Sequence, residues 1–278
     1  MNAAKPTVGV FDSGFGGLTV LRALMDRLPQ ARFAFIGDTA RLPYGSKSRR
    51  TIARYAVESA QFLVREQGAE FLVIACNTAS ALALDAIQGA VAVPVLGIIE
   101  PGAATAREAS KTGDVLVIAT DATVQSHAYA AACSALGLRA LEKACPLLVP
   151  LVEEGWIDHP VTAQVFRVYL DELLAEAATK GMQPDTLVLG CTHYPLLRPL
   201  IERSVPSGMR VIDSAEAAAE AASRMLHGQL GAASTTSHVP RGAQVRCFAT
   251  DSVEKFERLG SRFLGQPVGH VDLVDLGG

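Results

Sequence analysis

The stretch Leu72-Val73-Ile74-Ala75-Cys76-Asn77-Thr78 and its later counterpart Leu187-Val188-Leu189-Gly190-Cys191-Thr192-His193 decide the architecture. In each, a short apolar run meets a small residue, then a cysteine, then small hydrogen-bonding side chains, after which a helical pattern starts. A run so bounded reads as a buried strand delivering a thiol to the loop at its end. The flanking text, Glu70-Phe71-Leu72-Val73-Ile74 against Asp185-Thr186-Leu187-Val188-Leu189, aligns without a gap at the same offset of 115 residues that separates Cys76 from Cys191. Pro94 to Glu100 and Arg210 to Glu216 match more loosely at nearly that offset. Two similar halves, each presenting one thiol, are expected.

Outward from these segments the chain alternates between strand and helix patterns. Thr7 to Phe11 is a strand that stops at Asp12-Ser13-Gly14-Phe15-Gly16-Gly17, before a helix carried by Leu18, Leu21, Leu24, Met25 and Leu28. The glycines fit a tight turn with close helix packing; Thr19 stands where a dinucleotide fingerprint needs glycine, and no phosphate-binding lysine follows. Asp12 and Ser13 then lie at the carboxyl end of a strand, where ligands of open α/β sheets bind. Arg32 to Ile36 is a second strand, leading into a loop where Pro43 and Gly45 fix a turn and present Tyr44. Arg49 to Gln67 is an amphipathic helix, Ala79 to Ile87 another, and Pro94 to Ile98 a strand before the helix opened by Glu100-Pro101-Gly102.

Val115 to Ala119 is a strand ending in Thr120-Asp121, an echo of Phe11-Asp12-Ser13, and Thr120 joins the candidate ligand contacts for that reason. Leu141 to Trp156 interrupts the pattern, and Glu153 and Glu154 within it read as a solvated helix face. A helix over Val161 to Thr179, a short one over Leu196 to Glu202, a strand at Met209 to Ile212 and an alanine-rich helix from Ser214 follow. Gly231 to Arg241 reads as a mobile polar linker, Val245 to Phe248 as a last interior strand, Ser252 to Phe263 as a closing helix and Val268 to Leu273 as an edge strand. Such alternation marks an α/β fold of mainly parallel sheets with helices on both faces.

The composition sets the class. With 278 residues, 49% hydrophobic, 19% charged and a net charge of −3, the chain can bury a large core in two modest domains. It carries no basic surplus that would recruit nucleic acid. No apolar run approaches the ~18 residues of a membrane span and Met1 to Pro6 holds no signal core, so no membrane partner and a cytoplasmic location are expected. The five cysteines, Cys76, Cys133, Cys145, Cys191 and Cys247, show neither a Cys-x-x-Cys pair nor zinc-like Cys/His spacing, so reduced thiols and no metal are expected.

Cys133, Cys145 and Cys247 read as core. Cys76 and Cys191 differ: each ends a strand, each is followed by anion-binding side chains (Asn77-Thr78, Thr192-His193), and each mirrors the other. Disulfide exchange favours adjacent sulfurs, a metal site needs more ligands, and a protease-like site needs only one nucleophile. Facing thiols fit a mirror-symmetric reaction in which one takes a proton from carbon and the other returns it on the opposite face. A free thiol titrates near ~8.5, so a neighbouring base must help it; His193 and Asp12 are the candidates. None of the six lysines sits at a strand end beside an anion-binding turn, so no pyridoxal Schiff base and no cofactor are expected.

Five motifs in order now carry a resemblance: Phe11-Asp12-Ser13-Gly14-Phe15-Gly16-Gly17-Leu18, Gly37-Asp38-Thr39-Ala40-Arg41-Leu42-Pro43-Tyr44-Gly45, Cys76-Asn77-Thr78-Ala79-Ser80, Gly97-Ile98-Ile99-Glu100-Pro101-Gly102 and Gly190-Cys191-Thr192-His193-Tyr194-Pro195. Over essentially its whole length the chain resembles the glutamate racemases, a cofactor-independent branch of the aspartate/glutamate racemase superfamily. The resemblance implies Cys76 and Cys191 as the two acid/bases, assisted by Asp12, His193 and Glu153. It implies that Ser13, Pro43, Tyr44, Gly45, Asn77, Thr78, Thr192 and His193 line a glutamate site. Glu153 rests on the less distinctive Val149-Pro150-Leu151-Val152-Glu153, and Glu154 beside it is a competing choice. Two pseudo-symmetric α/β domains with the site in the cleft between them are implied, one from 1–99 plus 213–278 and the other from 100–212. The family's product, D-glutamate, serves peptidoglycan, and its members are often homodimers. A related racemase acting on aspartate or a hydantoin, and a two-lobed amino-acid binding protein, are the alternatives.

Overall fold

A computed structural model describes residues 6–230 and 244–277. The linker read over Gly231 to Arg241 lies outside the described residues. The chain runs β1 (Thr7–Asp12), α1 (Leu18–Arg27), β2 (Arg32–Gly37), α2 (Arg49–Arg65), β3 (Phe71–Ile74), α3 (Asn77–Leu82), α4 (Leu84–Ala90), β4 (Val95–Gly97) and α5 (Ile99–Ala109). It continues through β5 (Asp114–Ala119), α6 (Asp121–Ser126), α7 (Ala128–Ala135), β6 (Arg139–Ala144), α8 (Leu148–Glu153), α9 (Pro160–Thr179), β7 (Thr186–Gly190), α10 (Arg198–Ser204) and β8 (Arg210–Asp213). It closes with α11 (Ser214–Leu230), β9 (Val245–Ala249), α12 (Val253–Leu264) and β10 (Val271–Leu273).

Two sheets form, ordered β10-β9-β2-β1-β3-β4 and β6-β5-β7-β8. All recorded pairings are parallel. The second sheet repeats the order of the β2-β1-β3-β4 portion of the first, so the internal repeat read from the two cysteine segments is a repeat of topology. β9 and β10 extend the first sheet only. Register makes the equivalence residue-specific: Phe11 pairs with Ile74, and Ile118 pairs with Leu189. Ser13 and Thr120, each two residues beyond those partners, are therefore equivalent, as are Cys76 and Cys191.

The strands are apolar on both faces because helices cover both. Along β3, Phe71 and Val73 join one core cluster while Leu72, Ile74 and Cys76 join another, the period of two that strand geometry imposes. In the second sheet Leu116, Ile118, Leu187 and Leu189 face the first of these clusters, and Val115, Val117 and Val188 face a third. The first cluster thus runs unbroken from one sheet to the other, through α1 packed on α11. Each fully buried Leu, Ile or Val contributes about 1.5–3 kcal/mol, which ties the two halves firmly. α2 starts where Ser48 accepts the Thr51 amide at 3.3 Å, a cap that stabilises a helix by about 1 kcal/mol.

Three local expectations are corrected. The helix over Ala79 to Ile87 is two short helices, broken at Ala83. The interruption from Leu141 contains a regular strand, β6, whose half-exposed edge position weakens its apolar signature. Tyr44 is not displayed by its turn but tucked beneath it, 2% exposed, with its hydroxyl on Asp38. Asp38 is fully buried and draws Arg41 and Thr250 to itself as well, because a buried carboxylate is stable only when paired.

Candidate active site

The carboxyl ends of β1, β3, β5 and β7 bring Asp12, Cys76, Thr120 and Cys191 to one region. Cys76 is the N-cap of α3: its Sγ accepts the Ala79 amide at 3.4 Å and lies 3.4 Å from Ser13 Oγ. Burial pushes this thiol up to about 11, with the Asp12 carboxylate adding to the rise and the bonds from Ser13 and Ala79 opposing it.

Cys191 has a different companion. Its Sγ is 4.0 Å from His193 Nδ1, and the other ring nitrogen, Nε2, is 3.3 Å from Glu153 Oε1. Phe263 meets the imidazole in a T-shaped contact at 5.0 Å and Phe15 lies at 6.1 Å, so aromatic neighbours as well as its nitrogens hold the ring. Lys255 Nζ stands 3.7 Å from the other oxygen of Glu153. Burial alone would raise the Glu153 carboxyl; the bond to His193 and the charges of His193 and Lys255 outweigh it and hold the group below its ordinary value. Glu154 is exposed and has no such contact. Burial, then the electrostatic influence of Cys76 and Asp12, raises the Cys191 thiol well above its usual range despite the His193 backbone amide. Cys76, Asp12 and Cys191 are thus within electrostatic reach of one another.

Asp12 is 1% exposed; Oδ2 accepts the Gly14 amide at 3.0 Å, and Oδ1 is buried with no hydrogen-bond partner. Burial raises its carboxyl, against amides of Gly17, Gly14 and Ser13 and the neighbouring His193. The helpers are not duplicated with the thiols. Where the first half has Asp12 the second has Ala119, and where the second has His193 the first has Thr78.

Around the thiols the candidate binding residues gather. Thr78, Thr120 and Thr123 form a triangle of hydroxyls at 2.9–3.1 Å that joins the two halves. Asn77 Oδ1 accepts the Tyr129 hydroxyl at 2.7 Å while its Nδ2 is buried and unpartnered. Thr192 carries its carbonyl on Thr19 Oγ1 at 3.3 Å. Gly45 approaches Thr120, where an added Cβ would make a 3.4 Å contact, and Pro43 is exposed on the outer side of that turn. The cysteines themselves are each 5% exposed, so the space between the halves is nearly shut. Cavities of about 460 Å³ and 300 Å³ lie elsewhere, where Arg27, Asp213 and Glu216 line both. Their proximity to neither thiol makes the geometry of the cysteines the better guide to chemistry.

Known proteins resemble the chain over most or all of its length. A family model of Asp/Glu/hydantoin racemases matches residues 19–222. A glutamate racemase of Koribacter versatilis is 52% identical over 295 aligned positions, covering the whole of both chains. The chain belongs to the Asp/Glu/hydantoin racemase family. Solved relatives superpose over 98% of each chain: a glutamate racemase isoform from Bacillus anthracis at 36% identity with a TM-score of 0.84, and one from Francisella tularensis, in complex with D-glutamate, at 35% with 0.83.

Some residues packed around the two thiols and their neighbours escaped the sequence reading. Thr123 and Tyr129 lie in α6 and α7, a stretch so rich in alanine and other small residues that no apolar stripe stands out. Lys255 and Phe263 come from α12, far along the chain, and nothing local marks them. Among the described residues no helix is long and apolar enough to cross a membrane, and no group of three or more His, Cys, Asp or Glu is placed to hold a metal.

Proposed function

We propose that the chain interconverts L- and D-glutamate without a cofactor, by proton transfer at Cα between two thiols. The observation that carries this reading is that Cys76 and Cys191 hold equivalent positions in two sheets of the same order, within electrostatic reach of each other and of Asp12. In the L-to-D direction Cys191, as thiolate, takes the Cα proton, and the Cys76 thiol delivers its own to the opposite face. Cys191 ends as thiol and Cys76 as thiolate, ready for the reverse. Burial keeps both thiols protonated at neutral pH, so each depends on a base: Asp12 beside Cys76, and His193, oriented by Glu153, beside Cys191. The substrate's ammonium group, entering this buried space, stabilises the thiolate that forms. Ser13, Asn77, Thr78, Thr120 and Thr192 offer donors for its carboxylates, and Pro43, Tyr44 and Gly45 form the wall beside Thr120.

The reading treats 1–99 with 213–278 as one domain and 100–212 as the other. It extends to a cytoplasmic enzyme supplying D-glutamate for peptidoglycan, supported by five free cysteines, and to a homodimer, which rests on resemblance alone. Loss of the circular dichroism of L-glutamate, with L-aspartate turned over far more slowly, is the expected result. Faster loss with L-aspartate would assign a different substrate, and heat of glutamate binding without loss of optical activity would make the protein a binder.

A further inference from the structure

Tyr129 is fully buried in α7, in a slot made by missing side chains. A Cβ on Gly102 of α5 would lie 3.3 Å from its Cε1, and one on Gly190, the residue before Cys191, would lie 3.0 Å from its Cε2. Both distances are below comfortable contact, so glycine at each position admits the ring. Between α6 and α7 stands His127, whose φ of 55° turns the chain sharply and aims the new helix at that slot.

The phenol then reaches across to the other half, donating to Asn77 Oδ1 at 2.7 Å. Burial, with Cys133 and Cys191 nearby, raises its pKa far above neutrality, so it remains a donor throughout the working range. An amide whose oxygen is held has its nitrogen fixed in direction. Asn77 is 2% exposed, and that nitrogen has no partner. A buried donor left unpaired is costly, and here it sits one residue from Cys76. A ligand oxygen would satisfy it.

We propose that Tyr129 is a positioning residue: its hydroxyl, coming from the half that carries Cys191, locks the Asn77 amide so that Nδ2 is presented to a substrate carboxylate. This rests on the reading of the protein as a glutamate racemase that binds its substrate through Asn77. Recognition of the carboxylate is thereby completed only when both halves are in register.

The test is a cycle of Tyr129→Phe, Asn77→Ala and the double variant, assayed for L-glutamate racemisation and for melting temperature. Tyr129→Phe keeps the ring and removes only the donor; it is expected to raise KM about tenfold, the scale of one hydrogen bond, with kcat changed by less than about threefold. Asn77→Ala should raise KM at least as much, and adding Tyr129→Phe to it should change KM no further. Gly102→Ala, whose methyl would press on the ring edge at 3.3 Å and on the hydroxyl at 3.4 Å while leaving the donor itself in place, should raise KM in the same Asn77-dependent way and serves if the phenylalanine variant misfolds. A lowered melting temperature with unchanged KM in Tyr129→Phe, or additive effects in the double variant, would overturn the positioning role while leaving Asn77 as a substrate contact. An unchanged KM in Asn77→Ala would sink the Asn77 assignment itself, and a wild-type protein inert on glutamate would sink the racemase reading.

Discussion

Gly16 and Thr192 touch across the two halves of the molecule: a Cβ on Gly16 would collide with Thr192 Oγ1. The same atom would meet His193 Nδ1 at 2.7 Å. The glycine-rich turn after β1 is therefore bare because the Cys191 loop rests on it. Gly16→Ala should displace Thr192 and His193 and cut racemisation at least about tenfold, with a stability loss of about 1–3 kcal/mol typical of overpacking. Gly89→Ala is the contrast, since nothing lies within 4 Å of its added methyl inside α4; it should leave activity intact and stabilise by up to about 1 kcal/mol. Equal losses in both variants would show that helix propensity, and not the contact, is being measured.

Because His193 bridges Cys191 and Glu153, removing the carboxylate should weaken one thiol and spare the other. A glutamate analogue with chloride at Cβ loses HCl after a single deprotonation, so each enantiomer reports on one base. Glu153→Gln should slow elimination from the L analogue about tenfold or more and leave the D analogue within about twofold. Glu154→Gln, at an exposed position, should do neither. If Glu154 rather than Glu153 gave the asymmetric loss, the relay drawn from the 3.3 Å contact would be wrong.

The cysteines themselves should separate in the same assay. Either Cys76→Ser or Cys191→Ser should abolish racemisation, since a hydroxyl is a far weaker acid than a thiol and both bases are needed. Cys191→Ser should still eliminate from the D analogue, and Cys76→Ser from the L analogue. Two variants that behave alike on both enantiomers would rule out one thiol per face.

Buried thiols also make the fold sensitive to alkali. Burial pushes Cys247 up to about 12, whereas in the unfolded chain it titrates near ~8.5. Between those values the folded state holds a proton that the unfolded state has released, so stability falls as pH rises, by about 1.4 kcal/mol per pH unit for that group. Cys145, also raised to about 12, and Cys133, raised to about 11, add to the slope. Urea titrations at pH 8 and pH 10 should show this loss. Cys247→Ala, less stable at pH 8, should lose visibly less between the two pH values; an unchanged slope would mean that thiol ionisation is not the cause.

What the sequence determined by itself was local and periodic. Short apolar runs ending in Ala75-Cys76 and Gly190-Cys191 announced buried strands with thiols at their ends, and their common offset announced the repeat, because strand burial and side-chain alternation are written in consecutive residues. The α/β class and the convergence of Asp12, Cys76 and Cys191 at strand ends followed from that pattern. The tertiary structure decided the rest. Only docking of the two halves puts Tyr129 on Asn77, Thr78 on Thr120, His193 between Phe15 and Phe263, and Glu153 rather than Glu154 on the imidazole. Those pairings join residues from 40 to 178 positions apart, and their energies depend on burial and on angles that only the packed core sets. A sequence shows which groups a strand end carries; which of them meet depends on the apolar cluster that runs from one sheet to the other and holds the halves together.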